Sequence, residues 1–156
     1  MVLYILRHGR SPSAAEAGVA RDADRPLDPA GREELRRAAR YLREQGGRPS
    51  LALVSPLKRA QQTAAEVAQL LKPTPELRTY APLSNAISGA ELYRRLVDDE
   101  LGADELLLIG HQPQLGELAN YLTGEYYSLS PGGQIALETG AKGARLRWKI
   151  NPDELR

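Results

Sequence analysis

The chain has 156 residues, about one domain in length, and a domain of this size buries roughly 70% of the surface its unfolded form exposes. Hydrophobic residues at 42% and charged residues at 26% exclude disordered, collagen-like and coiled-coil chains, and the lack of cysteine removes disulfide scaffolds, cysteine zinc sites, iron-sulfur clusters and thiolate nucleophiles. Lys+Arg 21 against Asp+Glu 20 leaves a net charge of +1, which argues against a binder of duplex nucleic acid, and the two histidines, His8 and His111, are too few for a His-rich metal site.

Val2 to Leu6 is an apolar run that suits a strand buried on both faces, with Arg7-His8-Gly9 at its C-terminal end. The run is too short for a signal peptide or a membrane span and Arg7 ends it, so a cytoplasmic protein with no membrane association is expected. Arg10 to Pro29, rich in Ser, Pro, Asp and Gly, reads as a loop. Asp28-Pro29 then opens a helix as N-cap and first helical residue, Leu35, Ala39 and Leu42 recur at helical spacing, and Gly46-Gly47 closes it. Leu51 to Val54 reads as a second buried strand. Ser55-Pro56 reads as another cap pair, opening a helix that runs to about Leu71 and stops at Lys72-Pro73.

Glu76 to Thr79 is a weaker strand candidate and Pro82 to Gly89 a loop. A helix from about Ala90 to Leu101 carries Leu92, Leu96 and Val97, and Leu106 to Ile109 is the third strong apolar strand. Gly110-His111-Gln112-Pro113 follows it, leading into a helix to about Leu122. Gln134 to Glu138 and Ala144 to Ile150 pair around the turn Thr139 to Gly143 as a terminal hairpin would. Strands alternating with helices predict an α/β fold: a three-layer α/β/α sandwich with a mainly parallel central sheet and antiparallel edge strands, forming one domain over residues 1–156.

Three segments place polar residues directly after a predicted strand or in the next helical turn: Arg7-His8-Gly9, Ser55 to Arg59, and Gly110-His111. Ligands of open α/β sheets bind outside the carboxyl ends of strands, so the three can converge on one site. Ser55 to Arg59 has a plain reading as a capped helix start with solvated basic residues. It also has a functional one, because free amides at a helix N-terminus attract anions and Arg59 sits one turn in. Of the 21 basic residues 17 are Arg, planar forks suited to oxyanions, although a compositional bias accounts for most of them. Arg7 and Arg59 supply two guanidinium groups for a tetrahedral oxyanion, and phosphate fits best.

Arg7-His8-Gly9, Ser55-Pro56-Leu57-Lys58-Arg59-Ala60-Gln61-Gln62-Thr63 and Gly110-His111-Gln112-Pro113, in this order and on these elements, together resemble the histidine phosphatase superfamily. The stretch Arg25-Pro26-Leu27-Asp28-Pro29-Ala30-Gly31 is similar to the small phosphohistidine phosphatases of the SixA type, and the resemblance covers essentially the whole chain. It implies a phosphoglycerate mutase-like fold and a metal-independent, cofactor-free hydrolase. His8 would be the nucleophile, Arg7 and Arg59 would bind the phosphoryl oxygens, and His111 would be the second histidine of the phosphate pocket. An attacking imidazole must be neutral, which two nearby Arg charges favour. One ring nitrogen must be held as a donor to a backbone carbonyl so that the other presents its lone pair. A protonated His111 would add charge stabilisation.

The sequence departs from the family pattern in three places. Arg10 stands where many relatives carry an acid, and reads best as a solvated loop residue; Ser11 either donates to phosphate or shapes the turn. Thr79 to Asn85, where larger relatives place a carboxyl general acid, contains neither Asp or Glu, while the flanking Glu76 and Glu91 read as surface residues. An alkoxide leaves poorly without a proton, so the missing acid favours the P–N bond of phosphohistidine. Between Gly9 and Ser55 there is room for one loop and one helix, hence no lid and an open pocket. The expected substrate is phosphohistidine on a partner protein, such as a phosphotransfer domain or phosphotransferase component. The alternatives are a broad or small-molecule phosphomonoesterase that takes its proton from Glu76 or Tyr80, and a non-catalytic phosphate-binding module. A mutase, which needs a closed site, fits least.

Overall fold

The computed structural model describes residues 1–155. Six strands, β1 (Val2–Arg7), β2 (Leu51–Val54), β3 (Glu76–Thr79), β4 (Glu105–Gly110), β5 (Gln134–Gly140) and β6 (Gly143–Ile150), form one sheet in the order β3-β2-β4-β1-β5-β6. The four strands from β3 to β1 run parallel, and β5 and β6 continue the sheet antiparallel at the β1 side. This is the mixed α/β sandwich expected from the sequence, with antiparallel strands at one edge.

Among the described residues there are five α-helices: α1 (Ala14–Ala17), which buries no side chain, and α2 (Pro29–Glu44), α3 (Lys58–Ala68), α4 (Gly89–Asp98) and α5 (Gln114–Thr123), which cover the two faces. Strand side chains alternate between the faces. Tyr4, Leu6, Ala52, Val54, Leu107 and Ile109 pack under Leu35, Ala39, Ala60 and Ala64 of α2 and α3. Leu3, Ile5, Leu53 and Leu108 pack under Leu92, Leu96, Leu115 and Leu118 of α4 and α5. Adjacent strands β1 and β4 are therefore followed by helices on opposite faces, which opens a crevice between their C-terminal ends. Among the described residues no helix is long and apolar enough to cross a membrane.

Three local readings are corrected. The stretch Arg10 to Pro29 is more than a loop. Ser13 and Glu16 cap α1 reciprocally, Gly18 at φ 69° ends it, and Asp22–Asp24 forms a 3₁₀ turn stapled by the pairs Arg21–Asp24 and Arg25–Asp22. These turns bury no side chain, so they leave no hydrophobic period to read. Ser55 is not a helix cap: α3 begins at Lys58 after an uncapped Leu57 and ends at Ala68 rather than near Leu71. Within the expected loop at Pro82 to Gly89, residues Ala81–Ser84 form a second 3₁₀ turn.

Candidate active site

Parallel register sets the site. Arg7 is the partner of Gly110 and Val54 of Ile109, so the residues that follow β1, β2 and β4 emerge at one level around the crevice. His8, Ser55, Arg59 and His111 are all buried there, with the His8 and His111 ring centroids 5.1 Å apart.

Gly9 orients His8. Its carbonyl lies 2.7 Å from His8 Nδ1 and takes that nitrogen's proton in a hydrogen bond, which leaves the Nε2 lone pair facing Arg59 Nε at 3.3 Å. The Gly9 amide donates to Thr63 Oγ1 at 3.1 Å, and the Thr63 hydroxyl donates to the Arg59 carbonyl at 2.7 Å, so one buried threonine ties the histidine loop to the helix that carries Arg59. A Cβ at position 9 would stand 2.7 Å from Leu35 Cδ1, so the close approach of α2 requires glycine here. Gly31 serves the same end, because a Cβ there would lie 2.8 Å from the Arg10 carbonyl.

His111 is oriented from its other side. Ser55 Oγ accepts the Leu57 amide at 3.2 Å and lies 2.7 Å from His111 Nε2, the one acceptor for its own proton among the described residues, and the proton is assigned to that nitrogen on this ground. The His111 proton then sits on Nδ1, which is buried and has no partner among the described residues. Arg7 Nε is likewise buried and unpartnered, while Arg7 Nη1 is fixed on the Leu129 carbonyl at 2.8 Å. Two buried donors without partners, Arg7 Nε and His111 Nδ1, thus belong to the same strand ends as His8, whose Nε2 meets Arg59. Buried donors without partners are costly, and an anion with several acceptor oxygens satisfies them.

The electrostatics agree with this arrangement. Burial, then His111, Arg59 and Arg7, push the His8 pKa down to about 3, against the Gly9 carbonyl, which pulls the other way. Burial, then Arg59 and Arg7, push His111 down to about 4, with Asp22 opposing. Both rings are neutral at pH 7, so His111 offers a hydrogen bond from its neutral form rather than the positive charge expected of an imidazolium.

The structure brings together Arg7, His8, Arg59 and His111. It does not add Ser11, whose hydroxyl donates to the Pro26 carbonyl at 2.6 Å and closes the turn. Arg10 lies outside, exposed and paired with Glu34 at 3.0 Å. Neither proposed acid reaches the site: Glu76 is paired with Arg78 at 2.8 Å at the far end of β3, and the Tyr80 hydroxyl donates to Asp99. The segment before α4 instead sends Asn85 to the His111 loop, donating to the Gln112 carbonyl at 3.0 Å and accepting the Gln114 amide at 3.1 Å. Thr63, and Asp22, whose carboxylate reaches Arg59 at 3.1 Å, carry no role in the expectations from sequence, and Ser55 carries only that of a cap. Thr63 lies within the Ser55 to Thr63 motif, its one visible signal.

Residues 3–83 match the family model of the histidine phosphatase superfamily (branch 1). An uncharacterised protein of Picosynechococcus sp. (strain ATCC 27264 / PCC 7002 / PR-6) is 36% identical over 146 residues, covering 90% of this chain and 87% of that one. The phosphohistidine phosphatase SixA of Escherichia coli (strain K12) is 28% identical over 162 residues, covering 100% and 97%. Among solved structures, that of the protein histidine phosphatase SixA complexed with tungstate superposes with a TM-score of 0.86 at 27% identity, with each chain covered in full.

Proposed function

The chain belongs to the histidine phosphatase superfamily (branch 1), and from that premise we propose that it is a phosphohistidine phosphatase acting on a partner protein through a phospho-His8 intermediate. The observation that carries this reading is the His8 geometry: Nδ1–H held on the Gly9 carbonyl, and an Nε2 lone pair 3.3 Å from Arg59 Nε, beside a second histidine ring 5.1 Å away. Similarity to a phosphohistidine phosphatase over the full chain supports the substrate class.

In the first step His8 Nε2 attacks phosphorus and the bond to the substrate imidazole breaks, its electron pair returning to the leaving nitrogen; with a proton on its other nitrogen the substrate ring departs as neutral imidazole, the mirror image of the Nδ1–H ring that becomes phospho-His8. The bond made and the bond broken are both P–N bonds to imidazole, so the transfer needs no carboxyl acid of the kind an alkoxide requires. Arg7 Nε, the Arg59 guanidinium and His111 Nδ1 hold the equatorial oxygens, where charge spreads in the transition state. In the second step water attacks phospho-His8, its proton goes to the departing phosphate, and Nε2 regains its lone pair while Nδ1–H stays on Gly9. No step uses a metal or a cofactor.

Rapid quenching of turnover with a phosphohistidine protein, followed by mapping of acid-labile phosphate, tests the proposal. Phosphate is expected on His8, and His8→Ala abolishes both label and turnover. Label elsewhere, or turnover by His8→Ala, overturns it.

A further inference from the structure

All the donor nitrogens of Arg59 are engaged. Nε donates to His8 Nε2 at 3.3 Å, Nη1 to the Asp22 carbonyl at 3.0 Å and Nη2 to Asp22 Oδ2 at 3.1 Å. Asp22 thus holds both terminal nitrogens of Arg59 and leaves Nε toward His8, so a phosphoryl group that is to be gripped by two nitrogens of this guanidinium meets a resident carboxylate on the second.

The carboxylate is anchored from behind. Its other oxygen, Oδ1, accepts Arg25 Nη1 at 2.9 Å, and Arg25 is itself fixed on the carbonyls of Pro12 at 2.8 Å and Ser11 at 3.3 Å. These hydrogen bonds, Arg25 first and then Arg59, hold Asp22 below the usual carboxylate range, so it is anionic at neutral pH. Its side chain is 62% exposed against 9% for Arg59. When an anion enters, the carboxylate has a route to solvent and the guanidinium has none. The segment between His8 and α2 thus carries an acidic side chain to Arg59.

We propose that Asp22 is an internal competitor for the phosphoryl group, a resident anion on Arg59 that the substrate displaces; this deepens the reading of the phosphate site above. Any incoming phosphoryl group must displace a like charge, and after hydrolysis the returning carboxylate helps expel the product.

Calorimetric titration of inorganic phosphate into the wild-type protein, Asp22→Asn and Asp22→Ala at pH 7 tests the competitor. Both variants are expected to bind about tenfold more tightly, a difference of about 1.4 kcal/mol, and the gain should shrink at high salt. Asparagine keeps an oxygen for Arg59 but carries no charge. Wild-type affinity in Asp22→Asn with weakened binding in Asp22→Ala would make Asp22 a mere support for Arg59, and unchanged affinity in both would remove it from the phosphate position; either result overturns the proposal. This readout needs no turnover, so it stands even if the substrate class is wrong.

Discussion

The Ser55 hydroxyl accepts the Leu57 amide and lies 2.7 Å from His111 Nε2, the one acceptor for its proton among the described residues. With the hydroxyl proton directed to Nε2, the ring is held in the Nδ1–H form, and the donor that results is the one left free toward the site.

Ser55→Ala removes that constraint. Turnover should fall about tenfold to a hundredfold, the range seen when the partner that orients a functional histidine is lost. The unpaired Nε2 should lower stability by about 1 to 3 kcal/mol. Nitrogen-15 NMR of the imidazoles reads the tautomer directly, and the presence of only two histidines makes assignment simple. A variant that keeps a pure Nδ1–H His111 and the wild-type rate would show that Ser55 has no such role.

The same spectra test the protonation states. With His8 at about 3 and His111 at about 4, neither ring should titrate between pH 5.5 and 7.5. The sign for stability follows. Both pKa values are depressed on folding, so below about pH 6.5 the unfolded chain takes up protons that the folded one refuses. Stability is complete above that pH and is lost as the pH falls toward 4, by about 1.4 kcal/mol per pH unit for each histidine. In urea unfolding, the gap between the wild type and His8→Asn should therefore narrow from pH 7 to pH 5. A constant gap contradicts the depressed His8 pKa.

The motif residues were legible in the sequence because strand ends mark the site: His8 and His111 each follow an unmistakable apolar run, and Arg59 follows a third by five residues. Ser55, Thr63 and Asp22 were not, for physical reasons. Ser-Pro before a helix has the composition of a cap, and only the three-dimensional approach of β2 and β4 turns its hydroxyl to His111. Thr63 reads as one more small residue on the buried side of α3, although its hydroxyl bridges two segments 54 positions apart. Asp22 lies in a polar turn held by local ion pairs, which leaves no periodic signal.

Gly9→Ala tests the packing that fixes His8. A Cβ would sit 2.7 Å from Leu35 Cδ1 and 3.2 Å from Leu27 Cδ2, both on buried side chains. The expected cost is about 1 to 3 kcal/mol of stability, with a loss of turnover as the Gly9 carbonyl shifts away from Nδ1. Trimming the neighbour in Gly9→Ala/Leu35→Ala should restore turnover relative to Gly9→Ala while lowering stability further, since Leu35 is fully buried. Equal turnover in the two would mean that the clash is not what disturbs His8.

The leaving group provides the last test. Asn85 is the side chain that the segment before α4 sends to the His111 loop, Glu76 is committed to Arg78 at the far end of its strand, and the Tyr80 hydroxyl is committed to Asp99. A departing alkoxide therefore meets neither of these acids, and Asp22 on Arg59 is held in its anionic form by Arg25 and Arg59, whereas an imidazole needs far less help. General acid catalysis is worth about a hundredfold to ten-thousandfold, so a phosphohistidine protein should be hydrolysed faster than a serine phosphate by at least that lower factor. Glu76→Gln and Tyr80→Phe should change neither rate by more than about twofold, because removing a group that does not reach the site leaves the barrier unchanged. Equal rates on the two substrates, or a selective loss of alkyl phosphate hydrolysis in either variant, would mean that a proton donor reaches the site after all and that the preference for P–N bonds has another origin.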